Sequence, residues 1–327
     1  MAPTRDEKCT HMFSQRNATR QRFQRTNHIR TISNTIYILL MYASLIGLAS
    51  ADVPLRVLPR QAGEWGNWAY RNLSTWRSTI FGRTQQFIVS KNNSEYPPAW
   101  ERFDLFQPFI SCPPGRTLRR VGQGDGGKWL CDPSTLNAPC TIISLGSGME
   151  FTFERGILAD TPCKVLTADC TVTGSILSER HTFLPLCVGS AAAAQRSNQF
   201  TTYEALVTRA QVEAVPVLKI DVEAFEYPVF AEWHEHTAAL PEQIAVEVHW
   251  GEGDTPFNEP GPEFKPQWGR GSLSVSDLSL FFFHLANLGY GIINQERNLN
   301  CDQCSEFTLL RVESVPRNGR TLRRFAP

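Results

Sequence analysis

The stretch TIISLGSGMEFTFE (141–154) decides the fold. Thr141 to Leu145 form a short run of β-branched and aliphatic side chains, the pattern of a strand buried on both faces. Gly146-Ser147-Gly148 follows as a tight turn, and residues 149–158 read as a helix with Phe151, Phe153, Ile157 and Leu158 available for packing. Outward from there the alternation repeats. Lys164–Ala168 predicts a second strand ending at Asp169, and Thr182–Val188 a third. Residues 201–214 suit a helix, Val217–Asp221 a fourth strand, 224–234 a short helix and Gln243–His249 a fifth strand. Ser274 and Asp277 have the spacing of a capping box, opening a helix that runs through Leu288 and stops at Gly289. Tyr290–Asn294 and Phe307–Val312 complete the series. Strands alternating with helices predict an α/β fold with a doubly wound, mostly parallel sheet. The Gly- and Pro-rich stretch 251–272 reads as a long loop over the end of that sheet.

Ligands of an open α/β sheet bind outside the carboxyl ends of its strands. Gly146, Ser147 and Gly148 lie there and let a ligand approach the backbone at a helix N-terminus. Asp169 ends the second strand, where a carboxylate can accept from both hydroxyls of a ribose. Asp221, Glu223 and Glu226 follow the fourth strand, and Glu226 reads equally as a solvated helix residue. Glu247 and His249 end the fifth strand on one face. The third glycine of the dinucleotide fingerprint is replaced by Phe151, which points away from NAD and toward a nucleoside cofactor without a pyrophosphate, such as S-adenosylmethionine. The segment GQGDGGKWLCDP (122–133) lacks the spacing of a phosphate-binding loop, and Trp129 stands where Ser or Thr is needed. It reads as a turn leading into the main domain. His234, Glu235 and His236 read as exposed, and no metal site is expected.

LKIDVEAFEYPVF (218–230) and QIAVEVHW (243–250) resemble the paired motifs of FkbM-like S-adenosylmethionine-dependent methyltransferases. With DGGKWLCDP (125–133), IISLGSGMEFTFE (142–154) and VLTADCT (165–171), they resemble a eukaryotic methyltransferase-like group over about Cys112 to Val312. The resemblance implies a class I, Rossmann-like methyltransferase fold with S-adenosylmethionine as cofactor. It implies that Gly146, Ser147 and Gly148 border the methionine part, that Asp169 holds the ribose and that Val188 lies beside the adenine. Asp221 and Glu223 would face the methyl-transfer site, with Glu247 and His249 next to them, and Asp221 and His249 are the candidate bases. The sequence departs from the pattern twice. Ser144-Leu145 stands where an acid commonly precedes the first glycine, with Glu150 or Glu154 as a substitute, and Ala224 stands where Gly is favoured.

The chain has 327 residues, 42% hydrophobic, with a formal net charge of zero. That composition excludes a disordered chain, a collagen-like repeat and a strongly basic nucleic-acid binder, so no nucleic-acid partner is expected. The charge is uneven: residues 1–51 carry seven basic side chains against Asp6 and Glu7. Residues 1–31 read as a basic cytoplasmic arm and the uncharged segment 32–51 as a signal anchor or signal peptide, the latter cleaved after Ala51. Either reading places the rest in the secretory pathway: a single-pass type II membrane protein of the Golgi or endoplasmic reticulum, or a secreted one. Eight cysteines follow Cys9, enough for four disulfides in an oxidising compartment. Asn72-Leu-Ser74 and Asn92-Asn-Ser94 are glycosylation acceptors, and topology keeps Asn17 unmodified. Residues 52–111 read as a stem whose Trp65, Trp68 and Trp76 share a helix face with Asn72, residues 112–314 as the methyltransferase domain and 315–327 as a tail.

The reading these signals favour is an O-methyltransferase acting on a glycan, glycolipid or small-molecule acceptor. Two alternatives stay open: a type II glycosyltransferase with Asp221-Val-Glu223 as a metal motif, and an inactive binding domain.

Overall fold

β3 (Thr141–Leu145) is an inner strand of the main sheet, largely apolar and buried along nearly its whole length. The β1–β2 hairpin (Leu118–Val121 and Lys128–Cys131) precedes it. β3 pairs in parallel with β4 (Lys164–Ala168) on one side and β8 (Val217–Ile220) on the other. β4 continues to β5 (His181–Leu184), and β8 to β9 (Gln243–His249). β11 (Cys304–Arg311) inserts antiparallel between β9 and β10 (Tyr290–Arg297), giving the order β10-β11-β9-β8-β3-β4-β5. The chain therefore builds outward from β3 in one direction, then returns and builds in the other. The crevice where strand order reverses lies above β3 and β8, the ligand position of doubly wound sheets.

The computed structural model describes residues 63–251 and 273–312. The chain divides into two units, Met1–Val57 and Leu58–Pro327, and all described residues belong to the second. The basic arm, the apolar segment 32–51, Cys9, Asn17, most of the loop 251–272 and the tail lie outside the described residues. Among the described residues no helix is long and apolar enough to cross a membrane.

β10 and β11 extend past the expected 290–294 and 307–312, to Arg297 and back to Cys304, and three other elements differ more from the sequence reading. The strand expected over 182–188 splits, because Pro185 has no N–H for the ladder and Leu186 turns its own N–H back to the Leu184 carbonyl. β6 (Cys187–Val188) instead pairs with β7 (Phe200–Thr201) in a separate small sheet, flanking α3 (Ala191–Arg196). The helix expected from 149 is α2 (Thr152–Asp160), since Gly148 and Met149 both have positive φ and Glu150 closes a turn on Ser147. The helix expected over 201–214 shortens to α4 (Tyr203–Arg209), capped by the Thr202 hydroxyl. α5 (Glu226–Ala231) fills the crossover from β8 to β9. α6 (Val275–Asn287) opens on the expected capping box, with Ser274 and Asp277 exchanging hydrogen bonds.

Residues of the expected stem pack on this domain. α1 (Glu64–Ser90) buries Ala69, Leu73, Trp76, Ile80 and Thr84 at helical spacing. Thr84 and Ser279 of α6 lie 2.7 Å apart through their hydroxyls, and the Trp76 ring stacks on Phe109 at 5.3 Å. The tryptophans do not share one face: Trp76 is buried, Trp65 half-buried and Trp68 exposed. The hairpin docks on the sheet where the Gln243 side chain bonds the backbone of Cys131 at both its N–H and its carbonyl, and where the Thr308 hydroxyl donates to the Trp129 carbonyl.

All eight cysteines of the described residues pair: Cys112–Cys131, Cys140–Cys163, Cys170–Cys187 and Cys301–Cys304. Asn72 lies within α1 and donates its amide to the Trp68 carbonyl, whereas Asn92 is exposed in the turn after the helix.

Candidate active site

The turn after β3 is organised by Asp169. One carboxylate oxygen accepts from the backbone N–H of Ser147 at 2.7 Å and of Gly148 at 2.9 Å, and from the Ser147 hydroxyl at 3.1 Å. The other accepts from the N–H and hydroxyl of Thr171 at 2.8 and 2.7 Å. Burial opposes ionisation, but these hydrogen bonds outweigh it and lower the Asp169 pKa. Asp169 thus fixes the loop expected to border a cofactor, and a ribose would compete with groups it already holds.

Gly146 is required by its neighbours. Its φ is +75°, and a Cβ there would fall 1.7 Å from the Asp221 carbonyl oxygen. The Lys219 ammonium donates to the Gly146 carbonyl, tying the turn to β8. Gly148 also has positive φ, but a Cβ there would meet nothing within 4 Å. The acid missing before Gly146 has a structural substitute: Glu154 of α2 is fully buried and accepts from the Ser144 hydroxyl at 2.5 Å.

A cleft of about 370 Å³ opens above this turn. Its lining includes Gly146–Gly148, Asp169, Val188, Phe200, Phe225, Asp221, Glu223 and Glu247. The sequence-predicted residues are therefore gathered in one place, with His249 just behind them. Its Nε2 lies 3.6 Å from Glu223 Oε2 and 3.8 Å from Glu247 Oε2.

Three residues of the cluster, Lys128, Glu306 and Asn298, were not legible as its members, and a fourth, Glu226, was left open. Lys128, read as part of a turn, sends a buried ammonium to the cleft acid Asp221, 3.3 Å from its Oδ2, and into contact with Glu306. Glu306 of β11 is the direct cross-strand partner of Glu247. Asn298 donates to Glu247 Oε1 at 2.7 Å. Glu226, read as either solvated or functional, is fully buried; its Oε1 accepts from the His249 N–H at 2.8 Å and lies 3.1 Å from His249 Nδ1. Only the glycines before Lys128 hint at an approach to a site, and nothing in the sequence pairs β11 with β9.

The electrostatics follow from this crowding. Burial disfavours the Asp221 charge, but Lys128 and Lys219 overcome it and hold the carboxyl well below its usual range. Glu247 is pushed up by burial and by the charges of Asp221 and Glu306. Burial alone would lower His249, yet Glu226 outweighs it and lifts the imidazole to about 10. At neutral pH Asp221 is thus ionised in the ligand-free cleft. Glu223 is the more open of the acids at this edge, its side chain 45% exposed. Glu223 and Ala224 both have positive φ, so the position where FkbM-like sequences favour Gly is one whose backbone suits Gly.

The donors and walls fit S-adenosylmethionine. The cleft volume is within the range of pockets that enclose small cofactors. Val188, Phe200 and Phe225 offer apolar surface for a base, and Asp221 and Glu223 supply negative charge for a sulfonium.

A family profile described as a methyltransferase domain matches residues 71–311, nearly three-quarters of the chain. No curated protein matches. Among solved structures, one similar chain is described as a hemolysin from Streptococcus thermophilus, at 12% identity and a TM-score of 0.32, covering 55% of this chain and 62% of that one. A 16S rRNA (adenine(1408)-N(1))-methyltransferase from Catenulisporales acidiphilia aligns at 13% identity and a TM-score of 0.32, covering 61% of this chain and 100% of that one. An O-methyltransferase family protein from Burkholderia thailandensis aligns at 12% identity and a TM-score of 0.29, covering 55% and 54%. The chain spans less than two thirds of the first and third of these, and scores this low carry no functional argument. The family match stands on its own: this chain belongs to the methyltransferase-domain family, and it is a methyltransferase whose cofactor is S-adenosylmethionine.

Proposed function

We propose that the enzyme transfers its methyl group to oxygen on a small-molecule or glycan acceptor of the secretory pathway, and that it is an FkbM-like member of its family. The observation that carries the O-methyl reading is the carboxylate pair Asp221 and Glu223, placed beside the glycine turn in one cleft. S-adenosylmethionine supplies an electrophilic methyl group on a sulfonium. The chain's own residues do the rest. Ser147 and Gly148, fixed by Asp169, border the methionine part, and Val188 with Phe200 flanks the adenine. Asp221, kept ionised by Lys128 and Lys219, aligns the acceptor hydroxyl, and the Asp221–Glu223 pair takes its proton. His249 and Glu247 stand beside that pair and orient it.

Four paired disulfides support an oxidising compartment. A membrane attachment through residues 32–51, or secretion after cleavage, belongs to the same reading, as does a glycan on the exposed Asn92. Within this reading Asn72 is the poorer acceptor, since its amide is engaged in a helix.

Labelled S-adenosylmethionine offered with a panel of oligosaccharides and secreted metabolites tests the proposal. The expected result is an O-methylated product whose formation falls by roughly 10²–10⁴-fold in Asp221→Asn, the usual worth of a positioned acid–base group, while S-adenosylhomocysteine still binds. Wild-type turnover in Asp221→Asn would reassign the role to Glu223, Glu247 or His249, and a product methylated on nitrogen would overturn the O-methyl reading.

A further inference from the structure

We propose that Asp221, Glu223 and His249 form a binding site for a divalent cation of the manganese class at the carboxyl edge of β8 and β9. The proposal deepens the O-methyltransferase reading, and its binding test needs no methyl donor. One ligand atom from each of the three residues lies within 4.8 Å of the others. A cation with bonds of about 2.1 Å holds its ligands roughly 3–4 Å apart, so modest side-chain rotation closes the set. Two neighbouring groupings do not serve. Asp221 with Glu247 and Glu306 is crossed by the Lys128 ammonium, which contacts Asp221 and Glu306. Glu247 with His249 and Cys304 contains a sulfur already bonded to Cys301.

The observation that points to a ligand is His249. Its side chain is only 3% exposed, and Nε2 is turned to two cleft acids at ion-pair distance. The nearest acceptors, on Glu223 and Glu247, stand at 3.6 and 3.8 Å, beyond hydrogen-bond reach. The other ring nitrogen is held by Glu226, a carboxylate buried completely against it. That contact fixes the ring and turns Nε2 toward the cleft acids, the arrangement found behind metal-bound histidines. Asn298 restrains Glu247 in the same way, through Oε1.

One imidazole among carboxylates suits manganese better than calcium or magnesium, which favour all-oxygen sets. An acceptor hydroxyl bound to such a cation would become more acidic and pass its proton to a carboxylate oxygen of Asp221 or Glu223 that the ion does not engage. This departs from the sequence reading, which expected no metal.

Manganese(II) is titrated into the purified full-length chain without a methyl donor, and the free-ion EPR signal gives the bound ion. The expected result is one ion per chain, held about tenfold or more weakly in Glu223→Gln, with unchanged circular dichroism. Asp160→Asn, at a surface ion pair with Arg119, leaves binding as in wild type. No binding at millimolar manganese, or equal binding in Glu223→Gln, overturns the site. Calorimetry with S-adenosylhomocysteine in excess chelator and the product assay are read separately. Failure of either to support O-methyl transfer leaves the manganese result standing on its own, and failure to bind manganese leaves the transfer reading intact.

Discussion

Glu247 and Glu306 stand directly opposite each other in the β9–β11 ladder, two buried acids facing across one antiparallel pair. Like charges in that position repel, and the lysine that relieves them comes from outside the sheet. Lys128, on the docked hairpin, is paired with Glu306 and with Asp221. Its removal leaves Glu306 without its paired ammonium and Asp221 with Lys219 alone. Lys128→Met is therefore expected to destabilise the fold by about 3–5 kcal/mol in denaturant unfolding. Adding Glu306→Gln to that variant should recover part of the loss, and a double variant no more stable than Lys128→Met would show that the pair is not coupled.

Glu226 supports His249 through two contacts from one oxygen. Glu226→Ala strands a buried imidazole and a buried N–H, an expected cost of about 3 kcal/mol or more. Glu226→Gln keeps an acceptor oxygen and should lose clearly less. Equal losses in the two variants, measured by chemical denaturation, would mean that packing and not the acceptor holds His249.

Asp169 binds the glycine turn with charged hydrogen bonds worth roughly 1.5–3 kcal/mol each at most. Asp169→Ala should weaken S-adenosylhomocysteine binding by at least about tenfold, the equivalent of 1.4 kcal/mol, because the turn loses its shape. Calorimetry on the folded variant decides it, and unchanged affinity would place the cofactor's anchor elsewhere.

Glu242 gives a pH signature away from the cleft. Burial pushes its carboxyl up to about 7, against the pull of Arg116 and Arg311. Between the usual carboxylate range and that value the folded chain holds a proton that the unfolded chain has released. The contribution to stability is present below the unfolded pKa and is lost as pH rises toward about 7. Glu242→Gln should flatten this decline in unfolding midpoints taken between about pH 4.5 and 7, and an identical slope in wild type and variant would count against it.

The sheet was legible because each central strand is a short, largely apolar run, ended by Gly146, Asp169 or Asp221 in β3, β4 and β8 and by His249 in β9. Thr141–Leu145, Lys164–Ala168 and Gln243–His249 appear with the bounds their patterns give. The splitting of 182–188 was not, because apolar periodicity masks the missing N–H of Pro185. The site divides the same way. Asp221, Glu223, Glu247 and His249 follow from their place at strand ends. Lys128, Asn298 and Glu306 arrive through the hairpin, a turn and the last strand, and local sequence carries no record of pairing across that distance. Ala224 sits between these cases: its mismatch with the family pattern is visible in the sequence, and the positive φ beneath it only in the structure.

The disulfide pattern bears on how the chain reaches this state. Its bridges span 19, 23, 17 and 3 residues, each joining a cysteine to its next neighbour in the chain. Short loops close with a small entropic penalty, so correct partners meet early and distant mispairing is disfavoured. None of the bridges staples β10 or β11 to the parallel strands. The antiparallel insertion of β11, which brings Glu306 to Glu247, is therefore held by burial and strand pairing, and the bridges can close whether or not this edge of the cleft is assembled.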